Sequence, residues 1–229
     1  MTKKNSENWS RIETLYIVLL AFGVERLGEG AYASWSKIPS IIGWPSLANL
    51  VLLVSIALWG ARLFWSATNI QRYMDRHTRT SDPIKSNLVI AFHLPVLIGQ
   101  SIVFFLVCES YKVIISTILS TPCRNNIVTY CAEGPAEDVR SFSMLVVASL
   151  VYNAFWLISL MWTSRWRGSP EAFWIKNNLS FALLITLAAF ALSPTYAARA
   201  WQIILIYGAL LGLNSFFDFL RTSKVYLNS

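Results

Sequence analysis

Charge is scarce in this chain. Of its 229 residues only 14% are Asp, Glu, Lys or Arg, against roughly a quarter in ordinary soluble domains. There are two histidines, His77 and His93, and three cysteines. So few ligating side chains rule out a multi-histidine oxidase or desaturase centre and a disulfide-dense miniprotein. The phosphate-binding G-x-x-x-x-G-K-[ST] run, the dinucleotide fingerprint and H-E-x-x-H are absent, as is a G-x-S-x-G nucleophile elbow. No long apolar run has a central lysine to carry a retinal Schiff base, and none has the arginine ladder of a voltage sensor. The net charge of +7 comes from scattered basic residues, a poor match to a nucleic-acid surface, so no direct nucleic-acid partner is expected. No cofactor and no metal are expected either.

What abounds is apolar surface. Hydrophobic residues make up 55% of the chain, with 10 Trp, 9 Tyr and 13 Phe, which argues against disorder. A hydrocarbon core of about 30 Å needs about 20 mostly apolar helical residues. Six stretches meet that need: 15–35, 45–67, 87–108, 142–163, 173–192 and 200–220. Turn formers separate them: Pro39, Gly43 and Pro45, then Asp82-Pro83, Gly134-Pro135, Gly168-Ser169-Pro170 and Ser193-Pro194. The runs lack period-2 alternation and are about twice as long as barrel strands. In lipid that leaves helices, whose backbone polar groups are satisfied internally. The expected fold is all-α: a polytopic integral membrane protein, a six-transmembrane-helix bundle forming one domain over 1–229, with an external loop at 109–141.

Basic residues orient the bundle. Lys3, Lys4, Arg11, Arg72, Arg76, Arg79, Lys85, Arg165, Arg167, Lys176, Arg221 and Lys224 fall on one side, and Lys37, Lys112, Arg124, Arg140 and Arg199 on the other. The positive-inside bias puts both termini in the cytoplasm of a plasma (inner) membrane protein, as an even number of spans requires. Glu25, Arg26 and Glu29 interrupt the first apolar run, which reads as a retained span rather than a cleavable signal. Trp35, Trp44, Trp65, Trp162, Trp166, Trp174 and Trp201 fall near span ends, as interfacial anchors. The basic stretch from Asn69 to Arg79 suits anionic lipid, or a docking site for a cytosolic partner protein or a nucleotide.

Cys123 and Cys131 share the external loop, where a disulfide persists, and are a candidate pair. Cys108, at a membrane boundary, reads as a packed free thiol. Apolar residues up to Leu119 let the third helix run past the bilayer.

Polar groups inside spans are costly and therefore candidates for function. Glu25 and Glu29 share a helix face, while Arg26 and Glu29, three apart, suit a local pair. Arg62, near the cytoplasmic end of span two, either snorkels to the interface or pairs with Glu25 or Asp218. His93 and Gln100 lie seven apart on span three, with Pro95 between them as a kink. Asn153, Asn177 and Asn178 suit interhelical hydrogen bonding. In the last span Gly208 and Gly212 form a small-xxx-small packing site, internal or between subunits, followed on one face by Asn214, Asp218 and Arg221.

Most of these groups fall in the cytoplasmic half, which suggests a polar crevice open to the cytoplasm. The expected function is a channel-like or sensor/effector membrane subunit, forming a homo-oligomer, whose charged cluster gates or lines a path. A small-solute or proton-coupled transporter is the alternative, and a membrane-embedded enzyme the third reading.

Overall fold

Proline and glycine punctuate the helices much as their chemistry requires. The computed structural model describes helix positions 3–35, 44–77, 83–120, 141–152, 154, 169–192 and 200–227. Side chains are described within 14–35, 46–64, 95–115, 141–152, 154, 173, 175–191 and 202–221. All of the described elements are helical, six in number. They are α1 Lys3–Trp35, α2 Trp44–His77, α3 Pro83–Ser120, α4 Ser141–Tyr152, α5 Ser169–Leu192 and α6 Ala200–Leu227. Pro45, Pro83 and Pro170 occupy the first turns of α2, α3 and α5, where a missing N–H breaks no intrahelical bond. Pro95 lies inside α3, and the helix continues through it.

Among the described residues, three helices are long and apolar enough to cross a membrane: Ser46–Phe64, Pro95–Ile115 and Gln202–Arg221. Ser141–Tyr152 and Ile175–Ala191 are apolar but shorter within the described residues. α1 has the length, with 33 residues, but carries Glu25, Arg26 and Glu29 in its apolar stretch. Several helices overrun the apolar stretches because backbone hydrogen bonding continues into polar sequence, as at Asn69–His77.

The core is apolar, yet large apolar side chains also cover the outside and several polar groups are buried within. Phe22, Leu50, Leu58, Leu183, Leu187, Phe190, Phe216 and Leu220 are exposed, whereas Gln100, Ser101, Asn177, Asn178, Asn214 and Asp218 are buried. An apolar circumference around a polar-studded interior is what a lipid solvent selects. The molecule is built to associate with a membrane.

The closest packing depends on glycines. α1 lies chiefly on α3, and α2 on α6. A Cβ at Gly23 would stand 2.6 Å from the Phe104 ring, and one at Gly30 2.9 Å from the Tyr111 ring. These contacts advance together along both chains, so α1 and α3 run parallel. Phe104 also fills the notch at Gly60 and meets Trp59 edge-on at 5.4 Å. α2 and α6 run parallel as well, with Gly208 against Leu52 and Gly212 against Ser55. The Tyr16 hydroxyl donates to the Leu63 carbonyl at 3.2 Å. That bond, with Asn49 held at the level of Gly30 by Tyr111, makes α1 antiparallel to α2. On α4, Phe142, Val146 and Leu150 form the buried stripe, and the Tyr152 hydroxyl donates to the Pro95 carbonyl at 3.0 Å.

At the other end of α2 the Tyr111 hydroxyl donates to Asn49 Oδ1 at 2.7 Å, with both groups buried. Tyr111→Phe leaves the Asn49 amide without this donor in an apolar setting. The expected loss is about 1 kcal/mol, read as a lower unfolding midpoint in detergent; an unchanged midpoint would show that the bond contributes nothing net.

Candidate functional site

Arg62 stands one residue before Leu63, whose carbonyl holds Tyr16 of α1, and is directed toward α6 instead. On α6, Asn214 and Asp218 are one helical turn apart and so share a face. On α5, Asn177 and Asn178 are both buried. The three helices bring these groups together. Arg62 Nε pairs with Asp218 Oδ2. Its Nη1 donates to Asn214 Oδ1 at 2.8 Å and its Nη2 to Asn178 Oδ1 at 3.3 Å. Asn177 Nδ2 donates to the Asn214 carbonyl at 3.1 Å, tying α5 to α6 directly. Arg221, one turn beyond Asp218, lies 5.7 Å over the Phe173 ring.

The guanidinium, carried by α2, therefore spends three nitrogens on two neighbouring helices, α6 and α5. Its side chain is 14% exposed and that of Asp218 only 1%. Burying both charges is costly, and the cost is offset only when they are paired and hydrogen-bonded. The planar fork of arginine suits such a shared contact better than lysine. Around the pair, Asn178 Nδ2, Asn214 Nδ2 and Ser215 Oγ are buried with no hydrogen-bond partner among the described residues. The site is a neutral ion pair bordered by spare donors.

The other charged residues form a separate group. Arg26 Nη1 donates to Glu29 Oε2 at 2.9 Å, and Arg26 Nε lies 3.5 Å from Glu109. Lys112 Nζ reaches the same Glu29 oxygen at 2.7 Å. These side chains are about a third to two-fifths exposed, on the outside of α1 and α3. Tyr16 marks the level of Arg62, and Glu29 lies thirteen residues further on, a rise of about 20 Å. Of the two acidic partners that the sequence offers Arg62, the fold supplies Asp218. Glu25 and Glu29 face outward.

In the sequence alone Lys112 counts only toward topology and Glu109 has no evident role. Their spacing of three repeats that of Arg26 and Glu29, a signal that becomes legible only once α1 and α3 are known to lie parallel. Gln100 is buried on α3, away from the exposed charged group. His93 belongs to α3, but its side chain lies outside the described residues, as do Asn153, Cys123 and Cys131. Gly208 and Gly212 pack against α2 inside the bundle. Cys108 is a buried free thiol. Among the described residues no three His, Cys, Asp or Glu side chains gather closely enough to hold a metal ion.

No protein-family model, curated protein or solved structure matches this chain.

Proposed function

We propose that the chain is a multi-pass subunit of the plasma (inner) membrane, channel-like or acting as a sensor/effector, with six spans and both termini in the cytoplasm. The Arg62–Asp218 pair acts as its latch. One observation carries this reading: a buried ion pair joins α2 to α6 and, through Asn178, to α5. A neutral pair is tolerable in a low-dielectric interior, and two separated charges are not. Such a contact has two discrete states. Joined, it holds three helices in one arrangement; parted, each charge requires water or a new partner, and the crevice at that end opens.

The helix directions support the six-span topology. With α1 antiparallel to α2 and α2 parallel to α6, the first and last helices place their outer ends together at the Arg62 level. That end also carries the basic N- and C-terminal residues and the basic stretch after Arg62, which the positive-inside bias assigns to the cytoplasm. Homo-oligomer formation and a cytosolic partner remain part of the proposal, supported by the exposed apolar circumference and by that basic stretch.

Flux from liposomes reconstituted with the full chain tests the latch. Asp218→Asn removes the charge and keeps the shape. Basal cation flux is expected to rise about tenfold, the shift given by roughly 1.4 kcal/mol of lost closed-state stabilisation. The spare donors at Asn178, Asn214 and Ser215 favour a second reading, a carrier whose small solute accepts hydrogen bonds there. Saturable exchange without conductance would establish that carrier. If neither activity appears, and Arg62→Ala and Asp218→Ala are tolerated in cells, the pair serves packing alone.

A further inference from the structure

The outer face of α1 has features that the chain's own packing does not explain. Gly23 abuts Phe104 and Phe105, at the middle of the Pro95–Ile115 stretch of α3. Glu25 is two residues further on, so it lies within about 3 Å of that mid-depth. Yet Glu25 is exposed and forms no ion pair among the described residues. Its neighbours are accounted for: Arg26, Glu29, Glu109 and Lys112 form a chain of two bases and two acids. Glu25 is the surplus charge, one negative unit.

The surface around it has the relief of a helix seam. Val18, Ala21, Glu25, Gly28 and Tyr32 recur at spacings of three and four, and all are exposed. Gly23 and Gly30, on the opposite face, are filled by aromatic rings of α3, whereas a Cβ at Gly28 would have nothing within 4 Å. Ala21 and Gly28 thus flank Glu25 as small residues, and no described residue fills the space before Gly28. Lipid tails offer a carboxylate neither hydrogen bonds nor a counter-charge.

We infer that this face docks a transmembrane helix of a different chain, one with a single Lys or Arg at mid-depth. Its cation meets Glu25, and its side-chain ridge lies over Ala21 and Gly28. Charge selects this occupant over a second copy. Two copies of the face would bring the same surplus negative charge together, whereas a basic helix cancels it. The Gly208/Gly212 stripe is unavailable for association because α2 already fills it. The inference rests on insertion of α1 into the membrane, and not on the latch or on any flux.

The test uses the full chain in liposomes with a synthetic Leu/Ala helix of about 20 residues, labelled for energy transfer. One version carries a single central Lys, one Leu and one Glu. The Lys helix is expected to associate about tenfold more tightly than the Leu helix, and the Glu helix no better than Leu. Glu25→Gln, close in shape and outward-facing, should abolish the preference, and Gly28→Leu should weaken association of every version. Equal binding of the Lys and Leu helices overturns the inference, as does a preference that survives Glu25→Gln. Disulfide-linked homodimers of a Gly28→Cys protein in cell membranes would overturn it too, by assigning the face to a second copy. Flux unaffected by Asp218→Asn, with the Lys preference intact, would sink the latch and leave this surface standing.

Discussion

Asp218→Ala is expected to cost about 3–5 kcal/mol of bundle stability, the usual consequence of removing one partner from a buried ion pair. Most of that cost comes from what remains. Arg62, with its side chain 14% exposed, keeps its bonds to Asn214 and Asn178 but loses its only counter-charge among the described residues. The charge must then drag in water or pull α2 away from α6. Unfolding in mixed detergent, followed by helical circular dichroism, measures the loss. A companion variant separates stability from function. Arg62→Met combined with Asp218→Leu replaces the pair with apolar groups of similar bulk, and stability should return to within about 1 kcal/mol of the parent. If the pair is a latch, flux in this double variant stays unregulated although the fold is restored. If regulation returns with stability, the pair is packing and the latch is wrong.

The second large effect is expected at Gly208. A Cβ there would stand 3.0 Å from Leu52 Cα and 3.1 Å from its nitrogen, and backbone atoms cannot rotate away as a side-chain tip can. Gly208→Ala must push the helices apart by a few tenths of an ångström, and Gly208→Leu by much more. Overpacking of this kind costs about 1–3 kcal/mol and at times more, and the leucine variant should fall at the upper end. The displacement should also reach the ion pair, because Arg62 and Asp218 lie further along the same two helices. Gly28→Leu is the control on the same scale: with open space before it, stability should change by less than about 0.5 kcal/mol. A Gly208→Leu protein that unfolds like the parent would mean that α2 and α6 do not approach this closely.

Much of the architecture is legible in the residues. Runs of about 20 apolar residues locate the helices, and prolines at Pro45, Pro83 and Pro170 mark their starts, because helix and lipid both impose local, periodic demands. Gly208-x-x-x-Gly212 announces a close approach for the same reason: a missing side chain is a local fact. Depth is legible too, since 1.5 Å per residue converts sequence into height, and it places Arg62 and Asp218 together at one end. Neighbours are not legible in this way. Periodicity gives the face a residue occupies but not which helix stands against that face, so only the packing of α2 along α6 makes Asp218 the partner of Arg62. Likewise Gly23, Gly30 and Gly60 look like ordinary membrane glycines until Phe104 and Tyr111 are found filling them. The chain by itself determined helicity, an apolar exterior and the level of each charge, because these follow from backbone hydrogen bonding and solvent. Tertiary structure alone decided that one charge pair is sealed inside while Glu25 is turned outward, because that depends on contacts between segments distant in sequence, 83 residues apart for Glu29 and Lys112 and 152 for Arg62 and Asn214.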